Sequence, residues 1–206
     1  MAINQNRIVA FFDRATLMSF YRYYYMLYWC HTYTDINEVM HMTKTARIMN
    51  MYRIFQNSEE VEMQELFNSF GSYNKKTFMR DIALLKRIGL PIKYSKKRQA
   101  YVYVDENGKE APHEWFRNEP VFPKRKKERQ QMEMIMRLMT LVDDIPEDNC
   151  DVWYKETFPN VSKRTMQRDF AFLRKELDFE IFYMRFNDCG DENFEPYYTC
   201  EIPGWW

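Results

Sequence analysis

An internal repeat is the strongest constraint on the fold of this chain. The segment KKTFMRDIALLKR at residues 75–87 is followed 88 residues later by KRTMQRDFAFLRK at residues 163–175, in a chain of 206 residues. Six of the 13 aligned positions are identical, and most of the others keep their charge or apolar character. Two copies predict a duplicated domain and not a solenoid, which needs at least about three repeats.

The same order of secondary structure is predicted around both copies. Apolar residues at helical spacing predict helices over 43–57 and 59–71, ended by Gly71, and a third helix from the N-cap Asn74 to Gly89. Alternation over 92–108 then predicts a β-hairpin. After residue 132 two helices, a third capped by Ser162 and a hairpin over 179–202 follow. The predicted fold is mainly α with small β-hairpins (α+β), arranged as two tandem winged helix-turn-helix domains.

The predicted domains are an aromatic N-terminal helical extension (1–42), a first winged helix-turn-helix (43–110), a basic linker (111–131) and a second winged helix-turn-helix (132–206). The extension is apolar on all sides, so another surface has to cover it. Packing against the first domain and a homodimer interface, where aromatic residues are enriched, both remain open. The second domain is the other candidate for dimerisation.

Charge is unevenly distributed although the net charge is zero. Residues 1–123 carry 17 basic and 13 acidic side chains, and residues 124–206 carry 13 and 17. Within residues 72–104 nine basic side chains stand against one acid, Asp81. Such clustering is typical of a local nucleic-acid footprint that the whole-chain total hides.

The exposed face of each predicted third helix supplies the candidate DNA contacts. In helix-turn-helix proteins this helix enters the major groove, and neighbouring groups hold phosphates. Gln167 is suited to adenine, and Arg164 or Lys76 to guanine. The predicted DNA-binding residues are Asn74, Lys75, Lys76, Thr77, Met79, Arg80, Lys86, Lys93, Lys96, Lys97, Arg98, Lys163, Arg164, Gln167 and Arg168.

The acidic residues argue for unequal roles of the two copies. The second hairpin contains four acids that would repel phosphate, namely Asp188, Asp191, Glu192 and Glu195. The first copy is therefore predicted to contribute more to DNA binding. Asp81 and Asp169 are predicted to pair with a neighbouring arginine and to fix the orientation of their helices, with no catalytic role.

The string KKTFMRDIALLKRIGLPIKY…YVY resembles the N-terminal winged helix of DeoR-type and WYL-domain bacterial transcription regulators. These read Ser/x-Arg-Thr-x-x-Arg-Asp-Leu-x-x-Leu, then Gly-x-Pro-Ile and an aromatic hairpin. The matching residues are Thr77, Arg80, Asp81, Ile82, Leu85, Gly89, Pro91 and Ile92, and in the second copy Ser162, Arg164, Thr165, Arg168, Asp169 and Leu173. The resemblance covers 46–105 well and 132–202 more loosely, and it implies that this helix binds DNA. A second winged helix replaces the family's ligand-sensing domain, which argues against control by a small effector.

The predicted function is a sequence-specific regulator of transcription that binds double-stranded DNA through helix 75–87 and wing 93–103. The second winged helix would assist DNA binding or dimerisation. The alternative is a tandem winged-helix protein-interaction subunit of the chromosome-organising or scaffold type, which the zero net charge and the acidic second half favour.

Other classes find little support in the sequence. The absence of a Gly-rich phosphate loop, a His-centred nucleophile and a catalytic carboxylate pair predicts that the protein is not an enzyme. Scattered cysteines and histidines predict no metal and no cofactor. With no signal peptide and no apolar span of membrane length, the sequence predicts a reduced cytoplasmic protein without a membrane partner, associated with the bacterial nucleoid if it binds DNA.

Overall fold

Helices and two small antiparallel sheets make up a mixed α+β fold. The structure is a computed structural model that describes residues 42–70, 74–112, 118–185 and 196–204. Within these ranges there are six helices, one three-stranded sheet and one two-stranded sheet. The predicted aromatic extension lies outside the described residues, apart from Met42.

Both halves of the described chain have three helices before a hairpin, in the order that the sequence predicts. The first half contains α1 (Lys44–Gln56), β1 (Glu60–Glu62), α2 (Met63–Phe70), α3 (Lys75–Ile88), β2 (Ile92–Ser95) and β3 (Ala100–Tyr103). The second half contains α4 (Lys126–Asp144), α5 (Cys150–Thr157), α6 (Lys163–Glu176), β4 (Glu180–Met184) and β5 (Tyr197–Glu201).

The helix predicted over residues 59–71 is wrong in its first part. Residues Glu60–Glu62 form β1, which pairs antiparallel with β3 and completes a sheet of order β1-β3-β2. Val61 is buried between two exposed glutamates, as the two-residue period of a strand requires. Burial of this one side chain in the sheet overrides the local helix preference of Glu and Met. The predicted stop at Gly71 lies outside the described residues.

Local capping sets the ends of the two repeated helices. The side chain of Asn74 accepts a hydrogen bond from the Thr77 amide at 2.9 Å, and that of Ser162 accepts one from the Thr165 amide at 3.2 Å. Gly89 follows α3 with a φ of 118°, and its amide donates to carbonyl groups in the last turn of the helix. The predicted caps at Asn74, Ser162 and Gly89 are thus confirmed. Asn74 and Ser162 define where α3 and α6 begin, and Gly89 defines where α3 ends.

Gly89→Ala is expected to lower the free energy of unfolding by more than about 2 kcal/mol, because two costs add. The left-handed φ of Gly89 strains any L side chain, and an added Cβ would meet the backbone oxygen of Asn118 at 2.1 Å. Gly108→Ala is the matched control, since Gly108 has a φ of 73° but open space around the added Cβ. Urea unfolding of both variants measures the difference, and equal losses would contradict the close approach of residue 118.

The core is continuous through the two halves. Helix α1 of the first half packs against α4 of the second, and the Tyr52 hydroxyl donates to the Asp143 carboxylate at 2.8 Å. Helix α4 begins at Lys126, so residues 126–131 of the predicted linker are helical. The preceding segment runs along the end of α3, where the amides of Asn118 and Val121 donate to the carbonyls of Gly89 and Arg87. The start of α4 therefore lies beside α3.

Candidate nucleic-acid interface

Helix α3 has one buried side and one cationic side. Phe78, Ile82 and Leu85 form the predicted inward stripe and are at most 2% exposed. The opposite side carries the predicted contact residues of this helix. Those that the structure leaves exposed are Asn74, Lys75, Lys76, Met79, Arg80 and Lys86, whereas Thr77 is half-buried.

A buried ion pair fixes the rotation of α3 about its axis. The Arg47 guanidinium on α1 donates from Nε to Asp81 Oδ2 at 2.6 Å, and the two side chains are 7% and 1% exposed. In the second half Arg137 on α4 donates from Nε to Asp169 Oδ2 at 2.9 Å. The prediction that each aspartate pairs with an arginine is confirmed. Because Asp81 lies on the buried side of α3, the pair holds the cationic side outward.

The first hairpin lies beside the cationic side of α3. The Tyr101 hydroxyl on β3 donates to Met79 Sδ at 3.5 Å, and the Tyr101 ring meets the rings of Phe55 and Tyr94 edge-on. Met79 therefore lies at the border between helix and hairpin, although 44% of it stays exposed. Helix and hairpin together form one surface of the first half.

The tip of this hairpin presents lysines. Gln99 has a φ of 57°, and its side-chain amide closes the turn by donating to the Lys96 carbonyl at 2.6 Å. Lys96 and Lys97 in the turn and Lys93 on β2 are exposed, and the structure gives these three lysines no ion pair with any described residue. Unpaired exposed ammonium groups are available to phosphate oxygens.

Arg98 differs from the three lysines, because two carboxylates neutralise it. It forms ion pairs with Glu60 on β1 at 2.9 Å and with Glu110 at 3.1 Å. The hydrogen bond to Glu60 and the charge of Glu110 raise the pKa of the Arg98 guanidinium. Arg98 thus links β1, the turn and the segment after β3, and its contact with DNA stays a prediction.

Helix α6, the second copy of the repeated helix, exposes the residues equivalent to those of α3 but has different neighbours. Lys163, Arg164, Gln167 and Arg168 on α6 are all exposed, whereas Phe170 of the same helix is buried. Beside α6, however, β4 exposes Phe182, Tyr183 and Met184, which are 49%, 45% and 39% exposed. The tip of this hairpin, residues 186–195, contains the four acids named above and lies outside the described residues. The described part of the second hairpin exposes these apolar side chains beside one cation, Arg185, which lies over the Tyr183 ring at 5.7 Å, whereas the first hairpin exposes three lysines.

A tyrosine distinguishes the buried ion pair of the second half. The Tyr154 hydroxyl on α5 donates to Asp169 Oδ2 at 2.7 Å. Burial, and then the hydrogen bond and charge of Asp169, raise the pKa of Tyr154, so the hydroxyl stays protonated and remains a donor. In the first half the equivalent position, 88 residues earlier, is Leu66, which packs in the core. Asp81 therefore depends more heavily on its arginine.

Two cations that the sequence analysis did not select lie next to Arg80. Lys44 at the start of α1 and Arg87 on α3 line a cleft with Arg80, and Glu128 and Gln131 of α4 form its other wall. The wall formed by α4 includes part of the charged segment KRKKER, residues 124–129, which is visible in the sequence. The sequence predicts a linker for this segment, whereas in the structure α4 begins within it, beside α3.

Chemistry other than charge is sparse in the part of the chain that the structure describes. Among the described residues, no three His, Cys, Asp or Glu side chains lie close enough together to hold a metal ion. Cys150 and Cys200 are free thiols in the core, while Cys30 and Cys189 lie outside the described residues. No helix of the described chain combines the length and the apolar character needed to cross a membrane.

Comparisons with known protein families, with curated proteins and with solved structures give no match to this chain. What the protein does must therefore be inferred from its own side chains.

Proposed function

We propose that the protein is a sequence-specific DNA-binding regulator of transcription made of two winged-helix units, in which α3 and the β2–β3 hairpin contact double-stranded DNA. The main support is one surface on which the exposed side of α3 and the tip of the hairpin both present lysines without carboxylate partners among the described residues. The relevant lysines are Lys75, Lys76, Lys86, Lys93, Lys96 and Lys97.

The dimensions of α3 suit the major groove. Its 14 residues correspond to a length of about 21 Å and a diameter of about 10–12 Å, and the major groove of B-DNA is about 12 Å wide. Lys76, near the N-terminus of α3, is in position for a guanine edge. The hairpin lysines would then hold the phosphates of an adjacent strand.

The second unit has the weaker claim to DNA. Its helix carries Lys163, Arg164 and Arg168, and Gln167 is suited to adenine. Its hairpin exposes Phe182 and Met184 and, among its described residues, a single cation, Arg185. A phosphate strand placed there would lose water and gain only this one charge partner. We therefore assign it an assisting role in DNA binding or in dimerisation.

A protein-interaction subunit is the second candidate function, and β4 favours it. Phe182 and Met184 lie on the same side of this strand and are exposed. In the described chain β4 pairs with β5 only, so no described strand covers its other edge. Partners can add a strand to such an edge.

A titration of the full-length protein into a fluorescent duplex, repeated at several salt concentrations, tests the proposal. If Lys76 meets a base edge and the other five lysines each neutralise a phosphate, the slope of log K against log salt should approach about −4.5. A random-sequence 30-bp duplex measures this electrostatic part, and selection from a random pool then finds the specific site. Folded protein that binds no duplex, or binds it independently of salt, would exclude the regulator and favour the interaction subunit.

A further inference from the structure

The side of α3 away from the hairpin faces a cleft of about 220 Å³. Arg80 and Arg87 of α3 and Lys44 of α1 line it, and Glu128 and Gln131 at the start of α4 form the opposite wall. Met79 borders the hairpin, and Arg80, the next residue, is about 100° further around the helix. The cationic side of α3 therefore has the hairpin along one border and this cleft along the other.

Positive charge dominates the cleft. Its three cations stand against one acid, Glu128, which already pairs with Arg125 at 3.4 Å. The structure gives Arg80 and Arg87 no ion pair with any described residue. Lys124, Lys126 and Lys127, around the start of α4, are also exposed. A concave site lined by one sign of charge concentrates anions.

The walls of the cleft are held together without a ligand. The Val121 amide donates to the Arg87 carbonyl at 2.8 Å, and Lys44 Nζ donates to Gln131 Oε1 at 3.2 Å. Arg129 pairs with Glu133 at 2.9 Å and lies over the Phe122 ring, 5.1 Å from its centre. These contacts within the chain hold the first turns of α4 beside α3, so the two walls of the cleft are in place before an anion binds.

We infer that this cleft binds a backbone phosphate of the same DNA duplex that α3 enters, on the strand opposite to the one held by the hairpin. The inference rests on the proposed function. A helix of about 10–12 Å diameter in a groove about 12 Å wide has a phosphate strand along each side. The hairpin meets one strand, and Lys44, Arg80 and Arg87 meet the other. The second half of the chain then serves the first, because its helix α4 builds the outer wall of the phosphate site.

The double variant Arg80→Gln/Arg87→Gln of the full-length protein tests the inference. Both side chains are exposed, so the fold should be unchanged, and thermal unfolding checks this. Loss of the two arginines that hold this one phosphate should make the salt slope shallower by about 1, and weaken binding to the 30-bp duplex roughly 8-fold at 0.1 M salt. The matched control is Lys155→Gln/Lys175→Gln, which removes the same charge from exposed positions of α5 and α6 and should change neither quantity.

The outcomes separate the cleft from the proposed function. If the wild type binds DNA and the cleft variant keeps its slope and affinity, the cleft inference is overturned while the regulator stands. If the wild type binds no duplex, the proposed function itself fails. Sodium phosphate alone provides the remaining arm: millimolar phosphate that raises the melting temperature of the wild type but not of the cleft variant, with DNA binding equal in both, would assign the cleft to a free anion and overturn its role in DNA binding.

Discussion

Replacing Arg47 by methionine is expected to lower the free energy of unfolding by about 3–5 kcal/mol, the usual cost of breaking a buried ion pair. Methionine keeps an unbranched apolar side chain, but the Asp81 carboxylate, 1% exposed, loses the cation that compensates its burial. The loss is read from urea unfolding at constant pH, followed by circular dichroism. The same variant should loosen the orientation of α3 and therefore also weaken any DNA binding.

Arg137→Met is the control that the repeat itself provides. Its carboxylate partner, Asp169, keeps the hydrogen bond from the Tyr154 hydroxyl, and Arg137 is 17% exposed against 7% for Arg47. We expect a loss of about 1–3 kcal/mol, close to that of an ordinary buried hydrogen bond to a charged group. The double variant Arg47→Met/Asp81→Leu should recover most of the stability, since both charges are removed together. A loss no larger for Arg47→Met than for Arg137→Met would show that Asp81 has another source of compensation.

The parts of the fold that sequence analysis predicts well are those set by neighbours in the chain. Asn74, Ser162 and Gly89 act on residues within four positions of themselves, so their capping roles follow from the local pattern. The three-and-four spacing of Phe78, Ile82 and Leu85 likewise identifies the buried side of α3 from the amino-acid order alone. From these elements follow the order of helices and hairpins and the exposed side of each repeated helix.

The parts that sequence analysis misses depend on contacts distant in the chain. Nothing local distinguishes Glu60–Glu62 from the helix that follows it, because its partner strand begins 38 residues later. Asp81 predicts an arginine partner but not which one, and Arg47 lies 34 residues before it. The ion pairs of Arg98 are missed for the same reason: its two carboxylate partners, Glu60 and Glu110, lie outside the residues 72–104 that suggest a cationic wing.

Charge reversal on the first repeat is expected to have the largest effect on DNA binding. In the triple variant Lys76→Glu/Arg80→Glu/Lys97→Glu, losing the phosphate contacts of Arg80 and Lys97 alone would weaken binding to a duplex about 60-fold at 0.1 M salt, and losing the base contact of Lys76 weakens it further. Repulsion between the new glutamates and the phosphates adds to this loss. Anisotropy with the 30-bp duplex measures it, and circular dichroism confirms that these exposed substitutions leave the fold intact.

The equivalent triple variant of the second repeat, Lys163→Glu/Arg164→Glu/Arg168→Glu, separates local contact from the general field of the protein. Both variants change the net charge by the same amount, so a purely long-range attraction would suffer equally in the two. We expect the second variant to lose less than about tenfold, because the hairpin beside α6 offers Phe182 and Met184 to the DNA where the first hairpin offers lysines. Equal losses would mean that both repeats contact DNA to the same extent. The exposed apolar side of β4 would then lie close to a phosphate strand and would not be available to a partner protein. A loss confined to the first variant would place the DNA on α3, between the hairpin and the start of α4, and leave β4 free for a partner protein or a second copy of the chain.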